Sequence, residues 1–186
     1  NTRKIIDEFD IGYSENELLH IYNNANTNII LRKKLIYSGL IVKKNNYFYE
    51  KFKNRLMFPI KNNDGNIVGF SGRTLDENIK PKYINSNSSA FFKKREELYG
   101  LYELKKKNTE IKQIIVVEGY IDVIMMHKYG IYNVVATMGS ALTNAQIEKL
   151  IKISNEIFFC FDGDLAGKKA SLRTADVLLP YIKNFT

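Results

Sequence analysis

The sequence has few of the side chains that form disulfides or bind soft metals. Its 186 residues include one cysteine, Cys160, and two histidines, His20 and His127. A single thiol cannot form a disulfide within the chain, and three such side chains are too few for a four-ligand Cys/His zinc site. We therefore expect any metal ion bound by this chain to be held by oxygen atoms.

Long apolar runs are also missing. No stretch approaches the roughly 18 apolar residues that a membrane-spanning helix needs, and no apolar signal segment follows Asn1 to Lys4. We therefore expect a cytoplasmic protein with no membrane partner. Hydrophobic residues make up 45% of the chain and charged residues 26%, which is typical of a folded domain rather than a disordered one.

The chain is basic, and its positive charge is uneven along the sequence. The formal net charge is +8. Residues 1–110 contain 20 Lys/Arg and 13 Asp/Glu (+7), whereas residues 111–186 contain 8 and 7 (+1). Excess positive charge suits an anionic partner such as nucleic acid, although many lysine-rich proteins bind none. The uneven distribution predicts different roles for the two parts.

Local patterns in the first part predict a mixture of short helices and antiparallel strands. A capping box at 14–17 predicts a helix from Leu18, and an amphipathic stretch from Ile29 predicts a second helix that ends at Gly39. The predicted strands cover 47–49, 55–59 and 67–71, with a hairpin turn at 63–66. An irregular polar stretch at 76–89 and a helix over 96–107 are predicted to follow.

The second part has a different pattern. Gln113–Val117 and 156–161 are continuous apolar runs, typical of strands buried on both faces. The predicted elements around them are a helix over 120–129, a strand over 133–136, a helix with a capping box at 143–146, and a helix over 165–179 that ends before Pro180. The order βαβαβα predicts a mostly parallel, doubly wound sheet.

Acidic residues directly follow two of these predicted strands. Glu118 follows the first run with Asp122 four residues later, and Asp162 and Asp164 follow the last run. Ligands bind at the carboxyl ends of strands in an open parallel sheet, so we expect these carboxylates to converge. Carboxylates suit Mg²⁺ or Mn²⁺ bound together with water and substrate phosphates, which favours phosphoryl or nucleotidyl transfer.

A simpler role is open to two of these acids. Asp162 and Asp164 precede a predicted helix, where aspartates commonly cap the helix N-terminus. Capping does not account for Glu118, because Glu is a poor cap and Glu118 lies at the predicted sheet edge rather than at a helix start.

In the basic part, cations are interleaved with aromatic and amide side chains. The stretches concerned contain Arg55, Arg73, then Lys82, Tyr83 and Asn85 within 81–86, then Lys94 within 91–95. This composition is typical of a groove for single-stranded nucleic acid, where cations follow phosphates and rings stack on bases. The alternative is a solvated lysine surface over an aromatic core. That alternative is less convincing for Lys82 and Tyr83, which lie in a predicted irregular segment.

Six motifs occur in a fixed order along the chain. They are Arg55-Leu-Met-Phe-Pro-Ile, Gly-Phe-Ser-Gly-Arg73, Pro81-Lys-Tyr-Ile-Asn-Ser86, Leu98-Tyr-Gly-Leu-Tyr102, Glu118-Gly-Tyr-Ile-Asp122-Val and Phe161-Asp-Gly-Asp-Leu-Ala-Gly167. Together they resemble the RNA polymerase domain of bacterial DnaG-type DNA primases, from about Phe9 to Pro180. The Glu and Asp-x-Asp motifs alone mark only the wider TOPRIM class, which includes topoisomerases and nucleases.

The resemblance implies an α/β fold, α+β overall. A basic, mixed α/β N-terminal subdomain is expected over 1–108, followed by a doubly wound, mostly parallel TOPRIM sheet over 109–186. That domain is expected to be truncated at its C-terminal end, with the family's third acidic motif beyond Thr186. The implied activity is that of a DNA-directed RNA polymerase, which synthesises short RNA primers during replication by metal-dependent nucleotidyl transfer.

The resemblance also implies ligands and site residues. The ligands are a single-stranded DNA template, ribonucleoside triphosphates and Mg²⁺ or Mn²⁺, and the replicative helicase is expected to bind a C-terminal region absent from this sequence. The implied metal-binding residues are Glu118, Asp122, Asp162 and Asp164. The implied catalytic residues are Glu118, Asp162, Asp164 and Lys94, and the implied nucleic-acid-binding or nucleotide-binding residues are Arg55, Arg73, Lys82, Tyr83, Asn85 and Lys94.

Two alternatives stay open at this point. One is another TOPRIM enzyme of the nuclease or topoisomerase type, although no local pattern here supplies the tyrosine nucleophile of a topoisomerase. The other is a fragment that binds single-stranded DNA without catalysis.

Overall fold

The computed structural model of the chain describes residues 2–89, 92–107, 110–138 and 141–182. The chain divides into two compact units. We call residues 6–60 and 67–92 the antiparallel unit, and residues 1–5, 61–66 and 93–186 the parallel-sheet unit. The predicted domain boundary between 108 and 109 lies outside the described residues.

The secondary structure alternates between short helices and short strands. The helices are α1 (Thr2–Glu8), α2 (Leu18–Asn24), α3 (Ile29–Tyr37), α4 (Leu101–Lys107), α5 (Tyr120–Lys128), α6 (Asn144–Ile151) and α7 (Leu165–Ile182), with a 3-10 turn at Ala25–Thr27. The strands are β1 (Gly12–Ser14), β2 (Ile41–Lys44), β3 (Tyr47–Glu50), β4 (Arg55–Lys61), β5 (Ile67–Thr74), β6 (Tyr83–Asn85), β7 (Gln113–Val117), β8 (Val134–Ala136) and β9 (Glu156–Phe159). No helix in the described ranges is both long and apolar enough to cross a membrane.

The antiparallel unit contains a sheet with the strand order β1-β4-β5-β6 and a separate β2–β3 hairpin. The hairpin turns at Asn45 and Asn46, and Asn45 takes a φ of +53°. Its inner face packs against α2 and α3 through a cluster around Tyr22, Leu35 and Ile41. Strands β1, β2 and β6 are absent from the sequence-based prediction, because each contains at most two consecutive apolar residues, whereas the equally short β3 and β8 begin with three.

The capping box predicted at 14–17 is wrong, although α2 does begin at Leu18. Ser14 lies in β1, and Glu17 occupies the N-cap position without a side-chain capping bond. The backbone N–H of Leu19 instead donates to Glu50 Oε1 at 2.6 Å. A carboxylate on β3 therefore satisfies the first turn of α2 from 31 residues away.

The parallel-sheet unit has the strand order β8-β7-β9, with β7 parallel to both neighbours. Its core contains Leu98, Leu104, Ile114, Val116 and Leu150, each at most 1% exposed. The chain crosses from one side of β7 to the other between β8 and β9. Because parallel crossovers are right-handed, this reversal puts α5 and α6 on opposite faces, which is the doubly wound arrangement.

The capping box predicted for α6 is confirmed. Thr143 Oγ1 accepts from the Gln146 N–H at 3.3 Å, and Gln146 Oε1 accepts from the Thr143 N–H at 3.1 Å.

The predicted turn before β5 is also present, since the Gly65 N–H donates to the Asn62 carbonyl and Gly65 has a φ of +84°.

Three predictions in the parallel-sheet unit need correction. The run at 156–161 is not buried on both faces, because alternate residues of β9 lie on an exposed face and on a face that packs against the core. Phe158 is 49% exposed and Cys160 is exposed, whereas Ile157 and Phe159 pack against the core. Helix α4 begins at Leu101 rather than Glu96. Helix α7 continues through Pro180, which lies in its last turn and so removes only one backbone hydrogen bond.

Candidate active site and nucleic-acid surface

Glu118 and Asp162 meet at the carboxyl edge of the parallel sheet. Glu118 directly follows β7, and Asp162 follows β9, the strand paired with β7. The backbone N–H of Asp162 donates to Glu118 Oε1 at 2.9 Å. This bond joins residues 44 positions apart and leaves the second carboxylate oxygen of Glu118 and the side chain of Asp162 at the same edge.

Asp122 lies close to this pair, in the first turn of α5. Its Oδ2 accepts from the Gly119 N–H at 3.1 Å, which satisfies one free amide of the helix N-terminus. Burial of the carboxyl raises the pKa of Asp122, the Gly119 hydrogen bond lowers it, and the negative charge of Asp162 raises it further. The carboxylates of Asp122 and Asp162 are therefore close enough to repel each other.

Asp164 caps α7, as the simpler interpretation of the sequence allows. Its Oδ1 accepts from the Gly167 N–H at 2.8 Å, two residues into the helix. Gly167 must be glycine for this arrangement, because a Cβ there would overlap the backbone carbonyl of Asp162. The 162–164 loop therefore lies directly on the first turn of α7.

The carboxylates at this edge do not form a closed metal cage. Within the part of the chain that the structure describes, no three or more Asp, Glu, His or Cys side chains form a group that could hold a metal ion. Asp122 and Asp162 interact through their charges, and Glu118 is joined to the backbone N–H of Asp162. Mg²⁺ is commonly bound by one or two carboxylates that leave the other positions to water and substrate phosphates. The donor set therefore fits a hard divalent cation of this kind.

A small cavity of about 190 Å³ adjoins Glu118. It is lined by Glu118, Thr137, Ala141, Phe161, Ala166, Ala170 and Arg173. Residues 166, 170 and 173 are spaced by four and three, so they share one face of α7. The sequence-based prediction missed Arg173, although this spacing from the Asp162 motif could have indicated it. A guanidinium beside carboxylates is suited to a bound phosphate.

Lys94 belongs to the parallel-sheet unit and lies in a turn before α4. The side chain is half-buried, and this burial lowers the pKa of its ammonium group. Its predicted catalytic and nucleotide-binding roles stay predictions.

Arg55 holds the backbone of the antiparallel unit together. Its side chain is 6% exposed, and its guanidinium donates to the carbonyls of Gly72 at 3.3 Å, Pro81 at 3.0 Å and Lys82 at 3.1 Å. The planar guanidinium thus fixes the segment that carries Lys82 and Tyr83. The sequence-based prediction assigned Arg55 to nucleic-acid binding, and the contacts indicate that it positions neighbouring residues.

The other predicted nucleic-acid-binding residues lie on β5, on β6 and between them. Arg73 is opposite Tyr83 in the β5–β6 pairing, with its guanidinium carbon 5.7 Å from the centre of the Tyr83 ring. Lys82 is exposed, and Asn85 pairs with Ser71 on β5. Arg73, Lys80 and Lys82 line a cavity of about 330 Å³ together with residues 74–77 and Ile79. Arg73, Lys82, Tyr83 and Asn85 therefore form one continuous region.

The chain was compared with family models of known proteins. The model of the DNA primase catalytic core, N-terminal domain, matches residues 1–105. The chain belongs to the DNA primase family. A Toprim domain model matches residues 112–183, which contain all four predicted metal-binding acids. Neither match favours a nuclease or a topoisomerase over a primase.

Individual primases are similar over nearly the whole chain. It is 42% identical to a DNA primase of Buchnera aphidicola over 181 residues, which are 97% of this chain and 31% of that protein. It is 40% identical to a DNA primase of Legionella pneumophila over 96% of this chain and 31% of that protein. The chain therefore spans about a third of the length of these primases.

Solved structures of primases share the fold. The E. coli primase catalytic core superposes with a TM-score of 0.86 at 37% identity, covering 96% of this chain and 57% of that one. A DnaG primase catalytic domain bound to single-stranded DNA gives a TM-score of 0.86 at 37% identity, covering 96% and 56%. The match to these cores confirms the predicted mixed fold that ends in a parallel sheet.

Proposed function

We propose that this chain forms part of the catalytic core of a DNA primase, which joins ribonucleotides on a single-stranded DNA template by metal-dependent nucleotidyl transfer. One observation carries the proposal: Glu118 and Asp162 are hydrogen-bonded neighbours at the carboxyl ends of adjacent parallel strands. Membership of the primase family supplies the reaction class.

Glu118 and Asp162 would hold a divalent cation, Mg²⁺ or Mn²⁺. When bound, such an ion supplies positive charge that orients a triphosphate and neutralises charge developing on the phosphate under attack. Asp122 adds a third negative charge at this edge. Burial raises the pKa of the Asp122 carboxyl and the charge of Asp162 raises it further, so a nearby cation would favour the charged carboxylate.

Other residues would position these groups or contact the substrate. Asp164 fixes the loop that carries Asp162 by capping α7 at Gly167. Arg173, which lines the cavity beside Glu118, is placed to bind a triphosphate oxygen. We also propose that Lys94 contacts the nucleotide. Its ammonium group is half-buried, and a phosphate would compensate for the water contacts that this burial removes.

The template would be bound by the region around β5 and β6. Lys82 is assigned to the phosphates, and Tyr83 and Asn85 to bases. Arg73 supports this surface by lying against the Tyr83 ring, and Arg55 by holding the backbone at residues 81 and 82. For the whole protein we propose a cytoplasmic role in replication, with ribonucleoside triphosphates as substrates and the replicative helicase as a partner bound elsewhere.

The test is primer synthesis by a protein of the relatives' full length that carries these 186 residues. Asp162→Asn preserves shape and removes the charge, so we expect Mg²⁺-dependent ribonucleotide incorporation to fall at least roughly 100-fold. Binding of single-stranded DNA and the melting temperature should change little. Asp176→Asn is the matched control, because Asp176 is an exposed acid on α7 outside the site. An Asp162→Asn variant with the activity of the control would contradict the proposal.

A further inference from the structure

The outer face of the β2–β3 hairpin exposes two tyrosines side by side. Tyr47 is 54% exposed and Tyr49 is 38% exposed. Alternate residues of a strand point to the same face, so both rings lie on one side of β3. Their ring centroids are 6.2 Å apart and their planes are tilted by 45°. Both rings are therefore partly open to solvent on this side of the hairpin.

These tyrosines are not needed to fill the core of the antiparallel unit. The opposite face of the hairpin supplies that contact, with Phe48 packed 4.8 Å from the ring of Tyr22 and Ile41 buried in the same cluster. The structural role left to Tyr47 and Tyr49 is cross-strand pairing, with Lys44 and Val42 respectively. Such pairing stabilises the hairpin and still leaves both tyrosines partly exposed and open to a ligand.

The exposed charge on the tyrosine face of the hairpin is positive. Residues 41–50 contain Lys43, Lys44 and a single acidic residue, Glu50. Glu50 is buried and accepts a hydrogen bond from the Leu19 N–H, so it does not reach the exposed face. Lys43 is opposite Phe48, with its Nζ 6.0 Å from the centre of that ring, whereas the exposed Lys44 is directly opposite Tyr47. The face that carries Tyr47 and Tyr49 therefore combines two exposed rings with the charge of Lys44 and exposes no carboxylate.

We propose that Tyr47, Tyr49 and Lys44 form a stacking platform for unpaired bases of single-stranded DNA. Aromatic rings on the solvent face of a sheet stack successive bases in other nucleic-acid-binding folds, while nearby lysines neutralise the phosphates. The bases of a duplex are already paired and stacked, so this platform selects single strands. It uses none of the residues assigned above to the β5–β6 region.

The proposal rests on the proposed function only in taking DNA template as the bound strand. The platform itself needs neither metal nor nucleotide. It is therefore tested in EDTA, where the carboxylates at Glu118 and Asp162 have no part in binding, and failure here leaves the primer-synthesis test unaffected.

The experiment measures fluorescence anisotropy of a labelled dT oligonucleotide with this chain. Tyr47→Thr and Tyr49→Thr remove the rings but keep strand propensity. Each should weaken binding roughly 5-fold or more, the low end of the range for loss of one stacked base. Tyr47→Phe and Tyr49→Phe keep the rings and should bind like the parent. Tyr129→Thr is the matched control, because Tyr129 is 74% exposed but lies in the parallel-sheet unit, after α5.

An abasic oligonucleotide of the same length separates stacking from charge. It keeps every phosphate and offers no base, so the parent and both Thr variants should bind it equally. Lys44→Gln should instead weaken binding to both oligonucleotides. It should also reduce the slope of log affinity against log salt by somewhat under one unit. Thermal melts show whether each variant is folded, and because the two positions are tested separately, one folded Thr variant is enough for the test.

Several outcomes would overturn the platform. Folded Thr variants that bind the dT oligonucleotide as tightly as the parent would do so. Thr variants that lose affinity equally for both oligonucleotides would show a role in charge or structure rather than stacking. A parent chain that does not bind the dT oligonucleotide, or that binds a duplex equally well, would also overturn it.

Discussion

The Asp162 backbone N–H donates to the Glu118 carboxylate at 2.9 Å, which ties the end of β9 to the end of β7. One oxygen of Glu118 is thus used for structure, while the other stays available for chemistry. The contact gives Glu118 a positioning role beside the metal-binding role that we propose for it. The two roles are separable by substitution.

Glu118→Gln should separate these roles in EDTA. The glutamine amide oxygen can accept the Asp162 hydrogen bond, so the free energy of unfolding should match the parent or exceed it, because repulsion among the acids is reduced. Glu118→Ala should lose about 0.5–1.5 kcal/mol, since the acceptor is removed. Urea denaturation measures both. Equal losses in the two variants would show that the hydrogen bond does not stabilise the fold.

Arg55 should behave as a structural residue. Arg55→Met leaves three carbonyl partners without their donor, and we expect a loss of roughly 2–3 kcal/mol in the free energy of unfolding. Arg55→Lys should rescue little, because an ammonium group cannot reproduce the planar guanidinium geometry. Denaturation curves measure this effect. A stable Arg55→Met variant that has lost DNA binding would instead indicate direct contact with nucleic acid.

Lys82 should behave in the opposite way to Arg55, with an effect on DNA binding and none on stability. It is exposed, so Lys82→Ala should leave stability unchanged while reducing the slope of log affinity for single-stranded DNA against log salt by somewhat under one unit. Affinity measured at four or more salt concentrations gives the slope. An unchanged slope would remove Lys82 from the proposed template surface.

Lys94 should make stability depend on pH in the alkaline range. Burial lowers the pKa of its ammonium group in the folded state below the usual value near 10.5, so at neutral pH the charged form costs stability. The parent should gain stability as pH rises from the lowered pKa towards 10.5. Lys94→Met should be more stable than the parent at pH 7, and the difference should shrink through that window. If the difference in stability between Lys94→Met and the parent stayed constant across pH, burial of the charged ammonium group would not be its cause.

The convergence of Glu118 and Asp162 was predictable, because all parallel strands of one sheet have their carboxyl ends at the same edge, whatever path the connecting segments take. The role of Arg55 was not predictable, because its carbonyl partners lie 17 to 27 residues away and no local pattern records them. The Glu50 cap of α2 escaped prediction for the same reason.

The exposed face of β9 and the distribution of charge between the two units also could not be predicted from the sequence. The apolar run at β9 resembles that at β7, yet only the structure shows that Phe158 lies on an exposed face of β9. The +7 charge of residues 1–110 does not belong to one unit either. The antiparallel unit contains 11 basic and 8 acidic residues and the parallel-sheet unit 17 and 12, because the chain enters the latter at both 61–66 and 93–107.

The edge carrying Glu118 and Asp162 is expected to bind a divalent cation, which Mn²⁺ titration of this chain followed by NMR measures residue by residue. Paramagnetic broadening should begin at the amides of Gly119, Asp162 and Gly163, and Mg²⁺ should reverse it by competition. Asp162→Asn should abolish this local broadening, whereas Asp176→Asn should preserve it. Broadening that begins elsewhere in the chain, or that survives unchanged in Asp162→Asn, would contradict the account.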